Sequence, residues 1–564
     1  MPGFNLRSKA TFSKEDGSYN HDGLKVTDYY SDDAIVLNSQ TPKNYHSEFI
    51  SIDDRFKVCV EGMIYNLEVK EELPKLLEFV KSNNEREIAT MIADWDGEFV
   101  LIVIDKEENR CLVINDSWGR LPVYYWSSDG QFIITRNISY ITQNIELEYD
   151  SEVLGMSILL GLTLGQDTMW KKVLKLPPHS IMTYNLDENK PSGGSFFDLN
   201  TVSGDYHLDE LKDEIKDVFE ESLKSRLDKM ENPTLSLSGG LDSRLIAAAI
   251  KDIDSKVPFI TYNRTNGVDK PDYVSSKQII DQLGTKDQHE VIQIGKTKLE
   301  DADELLAFKQ GLNYLSMSYV LPYYKLHKER NISTITGDGG GKWFVDLYPL
   351  KNLSSMKSLI GYILRYNAFC SIETAAAMAN INPSVLKEKL IKTLKEYPFA
   401  SYNDKYTFFL IREAGINWAL EGEDRNRQYT WSSTPYYNPK LIRLCLAMPQ
   451  RSKEYGMLYK YLYKQFPGNL ENVSNPNWNE VVEDSKSIRR IHNKQKIKGL
   501  IPAFLLEKKK GISMNDFEFS NELQSIVKGW EHNELLNLSA LKDKNSTNFY
   551  WQLFTLTKLM NSNN

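Results

Sequence analysis

Apolar and polar positions follow two different rhythms along the chain. Residues 56–66 (FKVCVEGMIYN), 98–105 (EFVLIVID), 110–115 (RCLVIN), 122–126 (PVYYW) and 131–135 (QFIIT) are short runs of β-branched and aromatic residues, which predict strands. The turn-like segments KEEN and SSDG lie between them and predict hairpins, while 68–81 and 85–94 have helical spacing with charge on one face. The first part therefore reads as an antiparallel α+β unit. A stretch rich in Gly, Ser, Pro and Asp at 187–207 follows. The boundary is placed there, giving units 1–200 and 207–564.

From 207 the pattern alternates: a helix at 208–230, a strand at 233–237, a helix from 242, a strand at 257–262, a helix at 272–283 and a strand at 289–294. A further strand at 332–336 ends in a glycine cluster. Such alternation implies a parallel sheet, whose ligands bind at the carboxyl ends of the strands. From 354 onward the spacing is mostly helical.

Composition narrows the class without changing this division. A chain of 564 residues exceeds what one core sustains, and 41% hydrophobic with 26% charged residues is ordinary for a soluble globular protein. No apolar run has the length that spans a bilayer, and the first twenty residues lack a secretory pattern, so a cytoplasmic protein with no membrane partner is expected. Cys59, Cys111, Cys370 and Cys445 are scattered and read as free thiols, and the eight histidines form no ligand set. A net charge of -9 gives no reason to expect nucleic acid. The basic run 485–510 departs from this balance and reads as a solvated face.

The strongest chemical signal is Ser238-Gly239-Gly240-Leu241-Asp242-Ser243-Arg244, between the predicted strand PTLSL and a predicted helix. Glycines let backbone N–H groups curl round phosphate oxygens. The hydroxyls of Ser238 and Ser243 add donors, and the helix N-terminus adds favourable partial charge. Asp242 repels a bare phosphate but suits a Mg²⁺ ion bridging two of them.

This loop resembles the pyrophosphate loop of the ATP pyrophosphatase superfamily. Other segments resemble asparagine synthetase and its relatives, β-lactam synthetase and the lasso-peptide macrolactam cyclases: Glu61-Gly62-Met63-Ile64-Tyr65-Asn66, Asp116-Ser117-Trp118-Gly119-Arg120-Leu121-Pro122-Val123-Tyr124, and Leu176-Pro177-Pro178-His179. So do Pro271-Asp272 with Leu283-Gly284-Thr285, Thr336-Gly337-Asp338-Gly339-Gly340-Gly341-Lys342, and Lys460-Tyr461-Leu462-Tyr463-Lys464. The resemblance implies a glutaminase-like, Ntn-hydrolase-like antiparallel sandwich, then a parallel-sheet pyrophosphatase domain with a helical C-terminal part. It implies ATP and Mg²⁺ as cofactors, Asp242 as a metal ligand, Asp338 as the catalytic base, and Lys460 as the cation that meets the acyl-adenylate and pyrophosphate. Where relatives carry a second metal-binding aspartate and a glutamate, this chain has Gly341 and Lys342, with Asp338 or Asp346 left as substitute ligands, or Lys342 left to take over part of the charge balance on pyrophosphate.

Glutaminases of this type use an N-terminal cysteine exposed by removal of Met1, whereas residue 2 here is proline. Glu61 and Met63 stand where the family has asparagine and glutamate, and Ser82-Asn83-Asn84-Glu85 has drifted from its SDxE-like segment. The expectation is a first half without glutaminase activity, joined to a ligase that adenylates a carboxylate and passes the acyl group to an amine. That amine is ammonia or one tethered to the substrate, as in β-lactam or macrolactam closure. A homodimer stays open, as does the alternative of an inactive scaffold protein suggested by Gly341 and Lys342.

Overall fold

The computed structural model describes residues 1–9, 24–42, 45–188, 190–199, 206, 208–253, 256–476, 480–498, 516–521, 523, 536–538 and 547–561. Twelve strands build its first part: β1 (Gly3–Ser8), β2 (Lys25–Ser31), β3 (Ile35–Thr41), β4 (Ser47–Ser51), β5 (Phe56–Ile64), β6 (Gly97–Asp105), β7 (Arg110–Asn115), β8 (Tyr124–Ser128), β9 (Gln131–Thr135), β10 (Val173–Lys175), β11 (Ser180–Asn185) and β12 (Lys190–Ser195). They form two six-stranded antiparallel sheets, ordered β10-β8-β9-β1-β3-β2 and β12-β11-β7-β6-β5-β4.

Side-chain alternation explains the layering. In β6, Val100, Ile102 and Ile104 join the core shared with β1 and β3, while Phe99, Leu101 and Val103 pack with the helices Val69–Lys81 and Glu85–Ile92 on the other face. A strand buried on both faces needs no polar alternation, which is why EFVLIVID is continuously apolar. The helix Ser151–Leu160 is likewise apolar all round, the signature of a helix enclosed by other helices. Its Ser157 hydroxyl accepts from Gln552 on the helix Thr547–Asn561, and Tyr149 donates to the carbonyl of Leu559 at 3.0 Å.

The second part carries β13 (Pro233–Ser236), β14 (Phe259–Arg264), β15 (His289–Ile294), β16 (Ser333–Ile335) and β17 (Ser432–Ser433) in a parallel sheet ordered β15-β14-β13-β16-β17. The chain moves outward from β13 through β14 and β15, then returns to the other side of β13 with β16. The loops after β13 and β16 therefore flank a topological switch point, where α/β sheets leave a crevice for ligands. Among the described residues no helix is long and apolar enough to cross a membrane.

Two details depart from the sequence pattern. The first part of the expected connector, KPSGGS, is the edge strand β12, paired with β11 from Lys190↔Asn185 to Ser195↔Ser180. It is mostly exposed, so it carries no apolar alternation to announce it. In the helical layer, Leu410–Ala419 is π-helical and lies between the α-helices Tyr402–Phe409 and Leu420–Asn426. Of the basic run, the helix Ser485–Lys498 is seen, and 499–510 lies outside the described residues.

Buried ion pairs join the two parts. Asp96 receives Arg226 through both oxygens at 2.7 Å. Arg120 binds Glu98 and Glu423, and Arg427 donates to the Arg120 carbonyl at 2.9 Å. Arg136 reaches Asp424, which also takes Lys309 at 2.6 Å. Within the π-helical segment Glu413 accepts the Gly165 N–H at 2.9 Å, and Asn417 returns a bond to the Gly165 carbonyl at 2.9 Å.

Candidate active site

The segment Ser238–Ser243 links β13 to the helix Leu241–Asp252. The Ser243 hydroxyl accepts from the Ser238 N–H at 3.1 Å and sits 3.0 Å from its hydroxyl, which closes the loop. The Gly239 N–H donates to Asp272 at 3.1 Å, and Gly240 N–H to the Ser238 hydroxyl at 3.2 Å. Arg244 braces the loop from behind, donating to the carbonyls of Gly239 (2.9 Å) and Val473 (2.8 Å). Ser238 is exposed while Gly239 is buried against Ser275, where a Cβ would meet the Ser275 Cβ at 2.6 Å, so the turn presents its serine outward at the carboxyl end of β13.

Asp242 lies between this loop and the glycine-rich turn after β16. A Cβ on Gly340 would sit 2.4 Å from the Asp242 carboxylate, and one on Gly337 would sit 2.8 Å from the Ser243 nitrogen. Only glycine at these positions lets the two loops approach so closely. The Tyr459 phenol donates to the Asp242 carboxylate, Tyr436 donates to its backbone carbonyl at 2.8 Å, and Tyr463 donates to the Leu241 carbonyl at 2.7 Å. Burial pushes the Asp242 carboxyl up to about 7; the Tyr459 bond opposes that rise and the nearby charge of Asp338 adds to it. Asp338 is exposed, with its carboxylate 3.1 Å from the Thr336 hydroxyl.

The structure thus brings Ser238, Gly239, Gly240, Leu241, Asp242, Ser243 and Asp338 together. Lys460 stands differently. On the helix Met457–Tyr463, Tyr459 and Tyr463 face the loop, whereas the Lys460 ammonium pairs with Glu483 at 3.2 Å. Asp346 accepts the Tyr348 N–H at 2.9 Å. Lys342 runs its stem beside Gly415 of the π-helical segment, and burial pulls its pKa down. The tyrosines escape sequence reasoning because phenols on a helix read as core; their spacing of four in YKYLYK, on either side of the lysine, is the available signal.

Among the described residues no group of three or more acidic, histidine or cysteine side chains could enclose a metal. Mg²⁺ does not require such a cage, because it keeps waters and is commonly held by one or two carboxylates together with substrate phosphates. A buried carboxylate with no cation beside it fits that arrangement. Asp242 is the residue that would hold the ion, with Asp338 next to it.

In the first half, the position of the family's pocket asparagine is filled by a closed ion-pair cluster. Glu61 is fully buried and accepts from the Phe4 N–H at 2.7 Å, the Tyr45 hydroxyl at 2.6 Å and Arg136 Nε at 2.9 Å. Pro2 and Met1 are buried, and a Cβ on Gly3 would meet the Glu61 carboxylate at 2.6 Å. Asn84 caps the helix Glu85–Ile92, its side chain accepting the Glu87 N–H at 3.3 Å.

Residues 41–193 match the glutamine amidotransferase domain family, and residues 214–442 match the asparagine synthase family. The glutamine-hydrolysing asparagine synthetase of Gallus gallus is 23% identical over 316 residues, covering 50% of this chain and 53% of that protein. The enzyme of the same name from Rattus norvegicus is 23% identical over 275 residues, covering 44% and 46%. The match thus spans about half the length of these relatives. NMN synthetase from Francisella tularensis superposes with a TM-score of 0.19 and 13% identity over 40% of this chain and 97% of that one, too loosely to carry an argument; the fold rests on the strand order above. With the two domain families matched in this order, and asparagine synthetases among its relatives, the chain belongs to the asparagine synthetase family.

Proposed function

We propose that this chain is an ATP-dependent ligase that adenylates a substrate carboxylate and transfers the acyl group to an amine. The observation that supports this most is the meeting of the Ser238–Ser243 loop with the Thr336–Gly341 turn at the switch point of the sheet, with Asp242 between them. In this reading 207–564 is the synthetic unit, acting in the cytoplasm, and 1–200 is a retained glutaminase-like unit without glutaminase activity.

The loop hydroxyls and the N-terminus of the helix Leu241–Asp252 hold the β- and γ-phosphates and leave the α-phosphorus open. A carboxylate oxygen attacks that phosphorus, the bond to the bridging oxygen breaks, and pyrophosphate leaves with the electron pair. Mg²⁺ held by Asp242 would supply charge neutralisation on those oxygens. The amine nitrogen then attacks the acyl carbon, AMP departs, and the nitrogen proton passes to the exposed Asp338 carboxylate. Lys460, released from Glu483, would offset the charge on the α-phosphate and the tetrahedral oxyanion. The amine is ammonia or a tethered amino group; Pro2 and the filled Glu61 pocket speak against glutamine as its source.

The test is exchange of labelled pyrophosphate into ATP with a panel of carboxylic acids, followed by AMP and amide formation when an amine is added. Acid-dependent exchange supports the reading. ADP as product, or no exchange with any acid, overturns it in favour of a scaffold protein.

A further inference from the structure

The helix Ser485–Lys498 contributes no residue to the candidate active site, yet its composition is unlike that of the other helices. It contains no acidic residue, and the next acid along the chain is Glu507. Lys486, Arg490 and Lys494 recur at intervals of four, which sets them in one row along the helix, and all three are exposed, as is Arg489. A solvated helix face ordinarily interleaves its lysines with carboxylates, as the pairs Lys81–Glu78 at 2.7 Å, Lys216–Glu220 at 2.8 Å and Lys212–Asp209 at 3.2 Å do here. Like charges four residues apart repel, so the row weakens its own helix until an anion lies along it.

The opposite face is committed to the fold. Ile488 is fully buried, and Arg489 and His492 close over the Tyr455 ring at 5.3 and 5.0 Å. Tyr455 has a left-handed backbone (φ 58°), costly for a bulky residue, just before Gly456 and the helix Met457–Tyr463 that brings Tyr459 to Asp242. At the start of the basic helix, Asp484 accepts the N–H groups of Lys486 and Ser487 at 3.1 and 3.0 Å, next to the Glu483 that pairs with Lys460. The helix is thus fastened beside the candidate active site at two points, with its cationic row turned to solvent.

The charge of the row selects its partner. The chain as a whole carries a net charge of -9, so a broad polyanion such as a nucleic acid or an anionic bilayer meets repulsion around the row, and Ile488 is already packed and cannot enter lipid. From Lys486 to Lys494 the row spans about 12 Å, which suits a short stretch of carboxylates. We propose that this face of the helix Ser485–Lys498 docks an acidic segment of a partner protein beside the candidate active site. Such docking does not depend on which reaction the site performs.

Two measurements on the full chain test this. The first is fluorescence anisotropy with a labelled glutamate-rich peptide, the same peptide with glutamine at every glutamate, a single-stranded oligonucleotide, and vesicles containing phosphatidylserine. The glutamate peptide should bind, weaken as salt is added, and lose affinity about tenfold in the triple variant Lys486→Gln, Arg490→Gln and Lys494→Gln, three exposed ion pairs being removed. No binding of the glutamate peptide, equal binding of the glutamine peptide, or an affinity unchanged in the variant overturns the proposal. Tighter binding of the oligonucleotide or the vesicles assigns the face to nucleic acid or membrane and overturns it as well. The second is carbodiimide cross-linking of the glutamate peptide to the wild-type chain, followed by peptide mass spectrometry. Cross-links concentrated at Lys486 and Lys494 support docking on this face, whereas cross-links spread evenly over the exposed lysines show non-specific attraction and overturn it.

Discussion

Tyr459 donates its phenolic hydrogen to the carboxylate of Asp242, so the residue proposed to hold Mg²⁺ is itself held by a helix residue 217 positions away in sequence. The same helix directs Lys460 to Glu483. These two neighbours lead to separate expectations.

Asp242→Asn should remove Mg²⁺-dependent AMP release by at least about a hundredfold, the scale of a lost metal contribution. Its melting temperature should hold or rise, because a neutral amide avoids the burial cost that lifts the carboxyl to about 7. Tyr459→Phe should lose only about tenfold, one hydrogen bond to a charged group. AMP release and thermal melts on the three proteins check this, and full activity in Asp242→Asn would show that the loop binds no metal through this residue.

Lys460→Ala should slow acid-dependent exchange roughly a hundredfold to a thousandfold if the lysine meets charge that develops in the transition state. Glu483→Ala frees the ammonium from its present partner and should keep or raise the rate. Wild-type rates for Lys460→Ala would leave the lysine a surface ion pair worth little.

Restoring asparagine at position 61 should not restore glutaminase activity, because Pro2 brings no thiol. It should destabilise the fold by about 1–3 kcal/mol, since Arg136 would keep Asp424 but lose its other buried carboxylate partner. Glutamate release from glutamine and urea unfolding of Glu61→Asn are the measurements; glutaminase turnover in either protein would sink the claim.

His327 predicts a pH effect on stability. Its ring is fully buried, Nδ1 lies 2.8 Å from the Thr334 hydroxyl, and burial lowers its pKa from 6.5 to about 4. Above pH 6.5 both folded and unfolded chains hold a neutral ring. As pH falls from 6.5 toward 4 the unfolded chain takes up a proton that the folded one refuses, and about 3 kcal/mol of stability is lost across that window. Urea midpoints between pH 4 and 7 should slope less in His327→Asn than in the wild type. Equal slopes would mean that the buried ring is not the source.

What could be seen in the sequence was set by side-chain pattern. β5, β6, β7 and β9 are dense in branched and aromatic residues, and the loop at Ser238 joins glycines, hydroxyls and one acid in a spacing with few structural uses. β12 was hidden because an exposed edge strand buries little, and β17 because Ser432 and Ser433 have no strand signature of their own. The π-helical segment shares the composition of an ordinary helix. Lys460 drew attention as a cation in a familiar register, yet its chemical surroundings depend on Glu483, which no spacing rule connects to it.

The ion pairs between the halves place a constraint on how such a chain can change over generations. Removing residues 1–200 would strip Arg226 of Asp96 and leave Glu423 and Asp424 with Arg427 and Lys309 alone, without Arg120 and Arg136. A single substitution at any of these positions meets the same penalty unless its counterpart alters with it. The neighbour's need for countercharge is thus a reason for the first half to be inherited that is independent of any reaction there.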